Sequence, residues 1–189
     1  MTSDLRSVPA DAGSSGARKN IEDVLPLLAN QHVLVLFSGL PGDEDPGFLQ
    51  VRFTLTGTLD EQRFTQGWSR VVAQHPALRA SIHERDGRPP LAVVRRTVAV
   101  PVEVRDWRSL DPKEQAAALE SLLDEDRQRG LDFAVAPAMR VSVIRMTDTR
   151  AEAVWTCHHI LIDGWSAAIV LEDLMQAYHA LGAGSAPPG

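Results

Sequence analysis

The sequence is short of the residues that several protein classes cannot do without. It has one cysteine, Cys157, in 189 residues. A single thiol excludes an internal disulfide framework and a multi-cysteine zinc site, and it fits a reducing, cytoplasmic setting. No apolar run approaches the roughly 20 residues that cross a bilayer. Residues 1–20 lack the apolar stretch of a secretory signal, so no membrane role is expected. Basic residues are in the minority, 19 Lys and Arg against 25 Asp and Glu, for a net charge of −6. The arginines are scattered, which excludes the clustered positive face of a general nucleic-acid binder.

What is present suits one globular domain: 44% of the residues are hydrophobic and 23% are charged. Residues 1–19 are rich in Ser, Gly, Ala and Asp and read as a disordered leader or linker. Residues 182–189, ending in Pro187-Pro188-Gly189, read as a linker-like tail. Folded material is expected over 20–181. Ile21–Phe37 reads as a strand or turn followed by a short helix, with Pro26 near the helix start. Alternation of Leu49, Val51, Phe53 and Leu55 with polar neighbours predicts a half-buried strand. Asp60 reads as an N-cap. Phe64, Trp68, Val71 and Val72 then line one helical face, which ends near Pro76. Asp86-Gly87 predicts a hairpin turn. Val98, Val100, Val102 and Val104 predict a strand that Pro101 confines to an edge or bulge. Asp111-Pro112 with Glu114 predicts a capped helix with Leu119, Leu122 and Leu123 on its apolar side, ended by Gly130. Two strands follow, Ala138–Met146 and Ala151–His159. A last helix runs from Trp165 or Ser166 to Leu181, with Ile169, Leu174, Tyr178 and Leu181 on its apolar side. The fold class is α/β, helices packed on a mixed, largely antiparallel sheet.

The chemically suggestive stretch is His158-His159-Ile160-Leu161-Ile162-Asp163-Gly164. Strand alternation places Trp155, Cys157 and His159 on one face and Val154, Thr156 and His158 on the other. The two histidines therefore cannot enter one cleft together, and alternation alone does not say which is chemical. Asp163-Gly164 supplies the turn into the helix, Gly by tolerating positive φ and Asp by capping or by pairing with an arginine. An imidazole, with an ordinary pKa of about 6.5, can accept a proton at neutral pH and so assist a nucleophile. Competing readings remain open on the pattern. The pair can be packed core histidines. His159 and Asp163, four apart, can be metal ligands, although His32, His75, His83 and His179 show no ligand spacing. A Ser-His-Asp hydrolase would want a Gly-x-Ser-x-Gly elbow, which is missing.

Cys157-His158-His159-Ile160-Leu161-Ile162-Asp163-Gly164-Trp165-Ser166 resembles the HHxxxDG signature of nonribosomal peptide synthetase condensation domains, members of the chloramphenicol-acetyltransferase-like superfamily. Gln74–Ile82 resembles the family's RHxxLRTxF segment. Leu27–Leu36, with Gln31, resembles its opening helix. Leu131-Asp132-Phe133 and Pro137–Arg140 resemble the stretch before the motif strand. The resemblance implies the N-terminal lobe of such a domain over 20–181, a chloramphenicol-acetyltransferase-like half. It implies amide bond formation between a thioester and an aminoacyl amine. Both substrates would ride on the phosphopantetheine of upstream and downstream peptidyl carrier proteins, with no cofactor or metal bound directly.

The family's catalytic histidine corresponds to His159. His158, Asp163 and Gly164 would be structural support, with Arg79 as the partner of Asp163. Neighbours of the motif histidines and turn, Trp155, Cys157, Trp165 and Ser166, would line the reaction tunnel. The chain departs from the family pattern at Leu28, Gln74, Pro76 and Ala80. The family's domains have two lobes, so the C-terminal lobe is an expected partner and the chain alone is expected to be inactive. An epimerisation-domain lobe shares the motif. A non-catalytic carrier-protein docking module is the reading from another class. A free acyltransferase using coenzyme A would want a second, C-terminal motif that is missing.

Overall fold

The computed structural model describes residues 19–38 and 45–183. Most of the 1–19 leader and all but the first two residues of the 182–189 tail lie outside the described residues. In chain order the elements are β1 (Ile21–Pro26), α1 (Ala29–Ser38), β2 (Phe48–Thr56), α2 (Glu61–Gln74), a 3₁₀ turn (Pro76–Arg79), β3 (Ala80–Arg85), β4 (Arg88–Arg95), β5 (Val102–Asp106), α3 (Pro112–Arg129), β6 (Arg140–Thr147), β7 (Arg150–His158) and α4 (Gly164–Gly182). The class is α/β, mixed and largely antiparallel, as the sequence pattern implies, with the strands divided between two sheets. One has the order β1-β4-β3 and the other β2-β7-β6-β5. Every pairing is antiparallel except β5 with β6.

That parallel pair is joined by α3 as a crossover, which the sequence pattern did not reveal. β5 is at the edge, as Pro101 required, but it begins only at Val102. Proline has no N–H to give a ladder, so the chain before it cannot pair on that side. Its carbonyl still accepts from the Val141 N–H at 3.0 Å.

The larger sheet is covered on both faces. On one face Val141, Val143, Ala153, Trp155 and Cys157 pack against Phe64, Trp68, Val71 and Val72 of α2 and Val170 and Leu174 of α4. The Trp68 and Trp155 ring centroids are 5.2 Å apart. On the other face Ile144, Met146 and Val154 meet Leu119 and Leu122 of α3. With helices on both sides, β7 is buried over its last eight residues, which explains its nearly unbroken apolar run. The exception is Glu152. Burial pushes its carboxyl pKa up, but hydrogen bonds from Arg52, Arg150 and Thr54 outweigh that and hold it below the ordinary value.

The helix caps follow the sequence. Asp60 accepts from the Arg63 N–H, and Asp111 forms a full capping box with Glu114. α4 turns part of the expected face inward, with Leu174 fully buried and Tyr178 packed against the core, but not Ile169. Its inward stripe is Ala167, Val170, Leu174 and Ala177. Ile169, about 100° from Val170 around the helix, is 53% exposed.

A third apolar cluster joins the smaller sheet to the motif. Ile82, Ala92 and Val94 pack with Leu27, Ile160 and Leu161. The turn after β7 is thus gripped by the second sheet.

Trp68→Ala is expected to destabilise the chain by about 3–5 kcal/mol through a core cavity, and Ile169→Ala by no more than about 0.5 kcal/mol. Urea unfolding monitored by circular dichroism checks both. Similar midpoint shifts for the two variants would contradict the assigned core.

Candidate active site

β7, an inner strand of the larger sheet, carries the motif at its C-terminal end, and the strand ends at His158. The alternation rule therefore stops one residue early. His158 completes the strand with its ring fully buried, while His159 begins the turn and is exposed. Trp155 and Cys157 are also fully buried in the α2–α4 core. They line no open surface, contrary to the tunnel role the resemblance implied, because their face of β7 is the one the two helices cover. Burial pushes the Cys157 thiol up to about 12, which leaves it un-ionised. Trp165, 85% exposed, and the half-buried Ser166 are the two tunnel candidates that do reach the surface.

The buried ring is held at both nitrogens. His158 Nε2 lies 3.0 Å from Asp45 Oδ1, and His158 Nδ1 is 3.0 Å from the Ile160 amide nitrogen. The Ile160 N–H is a donor, so Nδ1 accepts and Nε2 carries the proton. Phe133 packs edge-on, its centroid 4.6 Å away. A side chain at Gly47 would overlap the His158 ring, so only glycine fits there. Burial holds the His158 pKa below its ordinary value, and the Asp45 hydrogen bond offsets part of that.

His159 has the opposite proton arrangement. Its Nδ1 is 3.1 Å from the Ile162 carbonyl oxygen. A carbonyl only accepts, so Nδ1 carries the hydrogen, and in the neutral ring the lone pair is on Nε2. The His159 backbone N–H donates to the Gly47 carbonyl at 2.8 Å. Gln31 supports the same turn from α1, donating from Nε2 to the Ile160 carbonyl at 2.7 Å.

Asp163 is the N-cap of α4. It accepts from the Ser166 N–H at 2.7 Å, which holds its carboxyl below the ordinary carboxylate value. Arg79 is not its partner. Arg79 is buried in the smaller sheet, where its guanidinium donates to Glu22 at 2.6 Å and to the Arg95 carbonyl. Glu22 lies on β1 and Arg95 on β4, so the guanidinium is held by the smaller sheet. Gly164 needs no positive φ, since among the described residues the positive-φ glycines are Gly57, Gly87 and Gly130. A Cβ there would meet nothing within 4 Å, so its surface is open.

Sequence reasoning missed Asp45 and Gly47, and it named Phe133 only as part of the stretch before the motif strand. Among the described residues, no group of three or more His, Cys, Asp or Glu side chains is placed to hold a metal ion. Clefts of about 390 and 280 Å³ lie elsewhere, at β5–α3–β6 and at the end of β2, and no motif residue lines them.

A family model described as "Condensation domain" matches residues 21–189. The chain belongs to the condensation-domain family. A linear gramicidin synthase polypeptide of Brevibacillus parabrevis is 37% identical over 169 residues, covering 89% of this chain and 2% of the relative. Bacitracin synthase 3 of Bacillus licheniformis is 35% identical over 162 residues, covering 85% of this chain and 2% of the relative. The crystal structure of the starter condensation domain of rhizomide synthetase superposes with a TM-score of 0.78 at 18% identity, over 88% of this chain and 41% of that one. The fold is therefore that of condensation domains, and the chain spans less than half of the solved domain.

A double-mutant cycle on Arg79 and Asp163 is expected to give no coupling beyond error, whereas the Arg79–Glu22 cycle gives a clear one. Coupling between Arg79 and Asp163 in unfolding measurements would overturn the assignment. The folded chain is also expected to lose stability as pH falls below about 6.5. His158 and His83 both have pKa values below 6.5 in the folded state, so the unfolded chain binds their protons first. Urea midpoints between pH 7.5 and 5 check this, and a flat or rising midpoint on acidification would contradict it.

Proposed function

We propose that this chain is the N-terminal lobe of a nonribosomal peptide synthetase condensation domain, and that it supplies the HHxxxDG motif for amide bond formation. The observation that carries the reading is the divided proton arrangement of the two histidines. His158 is buried with both nitrogens used, and His159 is exposed with Nδ1–H engaged and the Nε2 lone pair free.

The acceptor is an aminoacyl amine and the donor an acyl or aminoacyl thioester, each on the phosphopantetheine arm of a peptidyl carrier protein. The amine attacks the thioester carbonyl, forming the C–N bond. His159 Nε2 accepts the amine proton. The tetrahedral intermediate then expels the donor thiol, to which the proton passes. The first N–H groups of α4 have no intrahelical acceptors, and the Gly164 N–H is the one we assign to the carbonyl oxygen. The uncluttered space at Gly164 supports close approach of substrate backbone. Trp165 and Ser166 line the tunnel wall beside it. We assign the synthetase to the cytoplasm. Among the described residues no helix is long and apolar enough to cross a membrane.

His159 sits on an open surface of this lobe. A base is most effective where walls exclude water and hold the reactants in line. The C-terminal lobe is the wall we assign, so the chain alone is expected to have little or no activity.

The test uses two loaded carrier proteins and liquid chromatography of the released dipeptide. In the parent synthetase, His159→Ala is expected to lower the rate by roughly 10²–10⁴-fold, while this chain alone makes no product. Unimpaired product from His159→Ala, or turnover by the chain alone, would contradict the reading.

A further inference from the structure

We infer that Asp45 is a positioning residue for His159, acting through the ring of His158. The inference rests on the reading of His159 as the base, and it concerns a residue 113 positions upstream of His158.

A carboxylate only accepts hydrogen bonds, so Asp45 Oδ1, 3.0 Å from His158 Nε2, selects the Nε2–H tautomer. That leaves Nδ1 as the acceptor for the Ile160 N–H. In the other tautomer an N–H would face an N–H. The ring is fully buried, so no water can replace the lost bond.

The Ile160 N–H lies inside the turn that sets His159. Within that turn the Leu161 N–H donates to the His158 carbonyl at 2.9 Å, and the Ile162 carbonyl receives His159 Nδ1–H. Asp45 reaches His159 by a second route as well. Its Oδ1 accepts the Gly47 N–H at 3.0 Å, and the Gly47 carbonyl accepts the His159 N–H. One carboxylate therefore fixes the tautomer of the buried histidine and the backbone of the exposed one. Both routes end at the proton arrangement that leaves His159 Nε2 free to act.

Asp45 is partly exposed, with 28% of its side chain accessible, so its replacement need not disturb the core. The experiment compares Asp45→Asn, which keeps an oxygen acceptor, with the nearly isosteric Asp45→Leu, which does not. In this chain, long-range proton–nitrogen NMR reads the imidazole tautomers. The wild-type spectrum is expected to show His158 as Nε2–H and His159 as Nδ1–H. Asp45→Leu should mix the His158 tautomers and weaken the His159 Nδ1–H state, and Asp45→Asn should restore both.

In the parent synthetase, Asp45→Leu is expected to lower kcat on the order of tenfold with KM little changed, and Asp45→Asn to recover most of that loss. The inference is overturned if Asp45→Leu leaves both tautomers and kcat as in the wild type, or if Asn and Leu are equally impaired. If the tautomers respond but His159→Ala remains active, the positioning chain stands and the assignment of the base fails.

Discussion

An imidazole sealed from water must find a partner for each nitrogen inside the protein, because an unmade hydrogen bond there costs about 1–3 kcal/mol. His158 meets that demand with Asp45 on one side and the Ile160 N–H on the other. The shape of the turn after β7 follows from this constraint. It stops β7 at a defined residue, turns the chain at once, and sends His159 outward while its neighbour stays in. It also explains the glycine at 47, whose missing side chain is the space the ring occupies.

The turn so formed is supported from several directions. Ile160 and Leu161 are buried against the smaller sheet, Gln31 reaches the Ile160 carbonyl from α1, and Asp163 starts α4. α4 in turn packs Val170 and Leu174 into the core shared with α2 and the larger sheet. Both sheets and two helices thus converge on one short stretch of backbone. A rigid support of this kind suits the role proposed for His159, a base held within hydrogen-bond reach of its substrate.

Much of the scaffold was legible because local chemistry dictates it. The apolar face of α2, the caps at Asp60 and Asp111 and the edge position after Pro101 follow from periodicity, capping and the missing proline N–H. The division of labour between the histidines was legible only as a division, since alternation separates neighbours without saying which face is covered. Burial on both faces of β7 then reversed the reading of Trp155 and Cys157, which no single-strand pattern can foresee. The parallel β5–β6 pair, the Arg79–Glu22 ion pair and the Asp45 contact all join residues far apart in sequence. Pairings of that kind depend on the assembled sheets and leave no local signature. The Asp163–Arg79 pairing failed for the same reason: an arginine on a turn near a strand goes to the carboxylate the sheet brings to it.

The two adjacent histidines are sorted, one sealed and one presented. Brief treatment of the folded chain with diethyl pyrocarbonate, followed by fragment mass spectrometry, tests it most directly. His159 is expected to be modified readily, with His158 protected until the chain is unfolded. Equal modification of the pair, or modification of His158 first, would contradict the claim.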